Sequence, residues 1–105
     1  MTQYIITYFG GNPPATPEEG KAHFAEYQKW LGSLGEKVVS PANPIKNTQS
    51  INPDSSLVNE SISKMSGYTI IEVDSMNDAI AVSKNCPFLD IGGRLEVSEL
   101  VKMSI

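Results

Sequence analysis

Apolar positions crowd the opening of the chain. Gln3 to Phe9, QYIITYF, is almost wholly β-branched or aromatic and stops at Gly10-Gly11, which predicts a strand closed by a turn. Alternation sends Tyr4, Ile6 and Tyr8 to one face and Ile5, Thr7 and Phe9 to the other. Neither face is polar, so this strand expects cover on both sides. A helical rhythm follows. ATPEE is a helix start, with Thr16 as N-cap, Pro17 at the first helical position and Glu19 completing a capping box. The rhythm predicts a helix to about Leu34, with Gly35 as its left-handed stop. At roughly 100° per residue, Gly20, Phe24, Tyr27, Leu31 and Leu34 form the inner stripe. His23 and Trp30 lie together on one flank of it, while Glu18, Ala25, Gln28 and Lys29 turn toward solvent.

KVVS reads as a short second strand, after which Pro41 and Pro44 break regularity. From Pro41 to Met65 the chain is polar and reads as a long loop with room for a short strand around Thr48 to Ile51. GYTIIEV, Gly67 to Val73, alternates again, with Tyr68 and Ile70 on one face and Ile71 and Val73 on the other. DSMNDAIAVSKNCP predicts a helix capped by Ser75 and closed by Pro87, with Met76, Ala79, Ile80, Ser83 and Cys86 inward. GGRLEVSEL is the last strand, Leu95 and Val97 facing one way, Arg94, Glu96 and Ser98 the other.

The order is β-α-β-β-α-β. It predicts an α+β domain over residues 1–105, a four-stranded antiparallel sheet with both helices on one face, the ferredoxin-like arrangement. Its other face then carries either Tyr4, Ile6 and Tyr8 or Ile5 and Phe9. An apolar face left open is an expected interface, and a two-fold homodimer, sheet against sheet, is the simplest cover.

Composition narrows the function. The chain has 105 residues and a net charge of −4, from 8 basic and 12 acidic residues, with no basic run. A nucleic acid or an anionic membrane has nothing to hold. The same strand order serves RNA binding, but that needs aromatic residues in a basic surround, which is missing. The opening residues lack the basic start of a signal peptide, and no apolar stretch is long enough to span a bilayer. The single cysteine, Cys86, excludes an internal disulfide and a thiolate metal site. The expectation is a cytoplasmic protein without metal or cofactor.

The chain resembles the YCII-related family, the dimeric α+β barrel group that includes the DGPF-type proteins. The resemblance rests on YIITYFGG, on TPEEGKAHFAEYQKWLGSLGEKVV, and above all on SGYTIIEVDSMNDAIAVSKNCPFLDIGGRLEV. It implies a ferredoxin-like monomer that dimerises through its sheet, and a pocket near the first helix. It also implies a catalytic pair, a His on that helix and an Asp at the helix's C-terminal end. His23 matches the first. The second has no counterpart in LGSLGEK, and the Asp-Gly-Pro-Phe motif is replaced by NESISKM.

His23 is the only histidine. An imidazole oriented by a carboxylate can act as a general base near neutral pH. Asp90, in the turn leading to the last strand, is the first candidate partner and Glu96 the second. The bland alternative is a half-buried helix residue. Tyr27 and Trp30 are candidate binding residues beside His23, and Tyr4, Tyr8 and Tyr68 can line a pocket with their hydroxyls, with sheet-core packing as the alternative for these three. Arg94 can hold a ligand carboxylate or pair with Glu96 at a dimer seam. FGGNPP is no phosphate loop, since Pro17 lacks an N–H and Glu18 and Glu19 occupy the positive helix end. Cys86, before Pro87 at a helix C-terminus, is expected to be a buried thiol whose pKa the dipole raises. Asn59-Glu60-Ser61 fits a glycosylation sequon that a chain without a leader does not use. Two readings follow. One is a small-molecule enzyme, lyase- or hydrolase-like, with His23 as base. The other is a non-catalytic dimeric module that binds a ligand or serves a structural role.

Overall fold

The computed structural model describes residues 1–103; the last two residues of the expected 1–105 domain lie outside the described residues. Strand β1 (Thr2–Gly10) leads to helix α1 (Pro17–Leu34), then strands β2 (Val38–Pro44), β3 (Ser50–Ile51), β4 (Leu57–Val58) and β5 (Met65–Val73), helix α2 (Met76–Ser83) and strand β6 (Gly93–Glu99). The main sheet runs β2-β5-β1-β6, antiparallel throughout. This is the expected ferredoxin-like arrangement. The described chain is a slab of 45 × 44 × 18 Å, a thickness that leaves room for one helical layer on the sheet.

The sheet resolves the choice left open by β1. Tyr4, Ile6 and Tyr8 are buried under the helices with Thr69, Ile71 and Val73 of β5. Ile5, Thr7 and Phe9 therefore lie on the open face, paired with Ile70, Tyr68 and Met65. Beside them Arg94 and Glu96 form an exposed ion pair at 3.5 Å, and the Arg94 guanidinium stands 5.0 Å over the Phe9 ring.

Helix α1 starts and ends where expected. Thr16 Oγ1 accepts from the Glu19 N–H at 3.1 Å, while Glu19 reaches back to the Ala15 N–H at 2.9 Å. Gly35 stops the helix with φ +55° but ψ −126°, outside the left-handed helical well that was expected. The inner stripe is rotated from the expected one. Trp30 and Leu34 are buried, whereas Phe24 is 53% exposed. The reason is the indole. Trp30 has the largest side chain on the helix, and its N–H finds the Val82 carbonyl of α2 at 3.1 Å.

Two further expectations are corrected. β2 runs past Pro41 to Pro44, because it is an edge strand and an edge tolerates residues without an N–H, though its register against β5 shifts between Ser40 and Asn43. Helix α2 ends at Ser83, three residues before Cys86, and a 3₁₀ turn, Pro87–Ile91, leads into β6. Within the polar stretch, β3 and β4 pair as a small separate hairpin.

Candidate functional site

At one end of the sheet, the end of β1, the start of β5, the end of β2, the first half of α1 and the 3₁₀ turn enclose a cavity of about 240 Å³. His23 and Tyr27 face it from successive turns of α1, with Phe24 at its mouth. Phe88 closes it from the 3₁₀ turn, its ring centroid 5.3 Å from that of Tyr8. The ring can sit there because of Gly93. A Cβ on Gly93 would lie 2.2 Å from the Phe88 ring and 2.7 Å from its carbonyl oxygen.

The cavity's polar chemistry is a cluster of hydroxyls. Tyr8 and Tyr27 meet at 2.8 Å, Tyr27 lies 3.1 Å from Thr69 Oγ1, and Tyr8 also hydrogen-bonds Thr69. Thr69 donates to the Pro41 carbonyl at 2.5 Å. That carbonyl is free because β2 carries an extra residue between Ser40 and Asn43 relative to β5, and a bulge leaves a residue outside the ladder. Burial pushes the Tyr8 phenol far above its ordinary pKa, against the smaller opposing pull of its bond with Thr69. Tyr8 is therefore a fixed O–H donor, not a phenolate.

The structure brings His23 and Tyr27 to the cavity wall; Tyr68 borders it, but its pairing with Thr7 sets its side chain on the open sheet face. Trp30 lies in the core beside Tyr27, their ring centroids 5.8 Å apart. Asp90 is exposed in the turn that carries Phe88, and Arg94 is on the open sheet face. His23 is half-buried. Among the described residues its imidazole makes no hydrogen bond or ion pair, to Asp90, Glu96 or any other group, while Tyr27 and Trp30 beside it are bonded. Among the described residues, no carboxylate lines the cavity. Among the described residues, no group of three His, Cys, Asp or Glu side chains could hold a metal ion.

Thr69 and Asn43 are members that sequence reasoning passed over. Thr69 had a legible signal. It sits in the buried phase of GYTIIEV between Gly67 and Ile71, where a hydroxyl must find a partner. Asn43 had none, since its place depends on the bulge in β2. Cys86 is buried, and its thiol is pushed up to about 11 by that burial and by the nearby Asp90 charge, opposed by the Phe88 N–H. The direction is as expected, but the cause is desolvation, because α2 has already ended.

Neither a family model nor a curated protein matches the chain. A solved structure does. It is 5-chloro-2-hydroxyhydroquinone dehydrochlorinase (TftG) from Burkholderia phenoliruptrix AC1100, in complex with 2,5-dihydroxybenzoquinone, with a TM-score of 0.57 and 18% identity over 94% of this chain and 93% of that chain. The two chains share a fold. At this identity the likeness to the dehydrochlorinase concerns architecture, and it spans nearly the whole of both chains. No helix among the described residues is long and apolar enough to cross a membrane.

Proposed function

We propose that this chain is a YCII-like protein that binds a small, flat, mostly apolar molecule in the cavity between α1 and the sheet, with His23 acting on it as a general base in lyase- or hydrolase-like chemistry. The carrying observation is the position of the only histidine. It stands half-buried on the wall of an apolar cavity, beside a hydroxyl cluster, with no group among the described residues bonded to it. Its ring nitrogens are not sealed from solvent, so they are open to a ligand. A cavity of about 240 Å³ suits one substituted ring, since roughly 150 Å³ already admits benzene. The fold-mate's complex with a dihydroxybenzoquinone supports a ligand of this size.

The same reading takes the protein as a homodimer through its open sheet face, in a reducing cytoplasmic setting compatible with its single buried, unpaired cysteine. A second reading, a non-catalytic dimeric ligand-binding module, is favoured by the missing carboxylate: nothing on the cavity wall orients the imidazole. His23→Ala separates these readings from a structural role. With no bond to lose, the variant should lose about 1 kcal/mol or less of stability while losing ligand capture, read by native mass spectrometry of protein purified from cells. A loss of several kcal/mol would return His23 to the core. A captured metabolite released chemically changed by the parent and unchanged by the variant would select the enzyme. Asp90→Asn should leave both capture and turnover intact, because no hydrogen bond or ion pair joins that carboxylate to His23.

A further inference from the structure

We propose that the cavity selects a ligand that brings its own hydrogen-bond donor, a phenolic or enolic O–H or an N–H on a flat apolar frame. This deepens, and rests on, the reading of the cavity as a small-molecule site. The argument is a count of hydrogens.

The Pro41 carbonyl can only accept, so the single hydroxyl hydrogen of Thr69 points to it at 2.5 Å. Thr69 Oγ1 is then an acceptor toward Tyr8, and Tyr8 must donate to it. With the Tyr8 hydrogen committed, the 2.8 Å contact between the two phenols requires Tyr27 to donate to Tyr8, with Thr69 at 3.1 Å as a second, longer acceptor for the same hydrogen. Every hydrogen in the cluster runs from Tyr27 toward Pro41. The Tyr27 oxygen is left with lone pairs and no incoming donor.

The other polar groups on the wall have the same bias. Ser66 gives its hydrogen to the Tyr8 carbonyl at 3.3 Å. The Asn43 amide nitrogen donates to Ser40 Oγ at 2.9 Å and to the Tyr68 carbonyl at 3.1 Å. The reverse amide orientation would set Asn43 Oδ1 against that carbonyl, acceptor against acceptor, so the nitrogen's place is determined. Asn43 Oδ1 and Ser66 Oγ thus offer acceptance only. Among these side chains His23 alone keeps an uncommitted ring N–H, matched by an uncommitted ring nitrogen. An acceptor-only ligand would find the His23 N–H and otherwise acceptors, and leaving such groups unpaired is costly.

The experiment uses phenol and anisole as probes. They share a ring and an oxygen, and only phenol has a donor. Chemical-shift titration of the full chain is expected to place both at His23 and Tyr27, with phenol bound about tenfold tighter despite being the less apolar. In Tyr27→Phe that preference should fall to about threefold or less, with anisole affinity retained. Thr69→Val, which frees the Tyr8 hydrogen for Tyr27 and the Tyr27 hydrogen for the cavity, should improve anisole binding. Anisole bound as tightly as phenol by the parent protein overturns the proposal whether or not the variants fold, and so does a preference that survives Tyr27→Phe. Absence of both probes from the cavity at millimolar concentration would instead remove the small-molecule reading itself, and the proposal with it.

Discussion

Cys86 is 2% exposed, and burial holds its thiol at about 11 against an ordinary 9.0. The unfolded chain therefore loses this proton first. Between about pH 9 and 11 the unfolded state binds fewer protons than the folded one, so the contribution of Cys86 is complete below pH 9 and is lost as pH rises through that window. The gap corresponds to stability on the order of 2–3 kcal/mol. Cys86→Ala should fall less steeply than the parent across this range in denaturant melts. Parallel curves would mean that the thiolate is accommodated. Tyr8, raised by the same burial, acts in the same direction and remains in both proteins. The sequence placed this thiol correctly as buried, because Cys86 falls in the inward phase of the second helical pattern. It could not supply the cause, which depends on what packs over it.

Helix α1 has boundaries that local chemistry dictates. Thr16, Pro17 and Glu19 assemble the start within a few residues, and Gly35 ends it. The Gly35 backbone, at φ +55° and ψ −126°, lies where a side chain is strained, yet a Cβ there would meet nothing within 4 Å. Gly35→Val should thus cost roughly 1–2 kcal/mol by backbone strain alone, and Gly35→Ala nearly as much. Thermal melts indistinguishable from the parent would show that the terminus relaxes into another cap. The rotation of the helix was not legible. His23, Tyr27, Trp30 and Leu34 turn inward because the Trp30 indole meets the Val82 carbonyl, an acceptor 52 residues away. Likewise Pro41 reads as the end of a strand until the strand's edge position is known.

At the scale of the whole molecule, the sheet has helices on one face only. Ile5, Phe9 and Ile70 lie on the other, next to the Arg94–Glu96 pair. A homodimer burying this face should hide more than about 1,000 Å² and sediment as a dimer at micromolar concentration. Ile5→Lys with Ile70→Lys places like charges on directly paired positions of that face and should yield monomers that keep the helical signal of the parent. A compact monomer from the unaltered chain would remove this assembly.

Strand identity, the ends of α1 and the order β-α-β-β-α-β follow from the sequence alone, since alternation, caps and turn residues act over a few positions and need no distant partner. The candidacy of His23 was legible for a similar reason: it is the only imidazole in the chain and lies at the edge of an apolar stripe. Which face of β1 is buried, which way α1 turns, and that Tyr8, Tyr27 and Thr69 meet at a carbonyl freed by a bulge were decided by tertiary structure. Each depends on a contact between residues far apart in the chain. The direction of a hydrogen in a buried cluster is set by its last acceptor, here Pro41, whose availability no local pattern encodes.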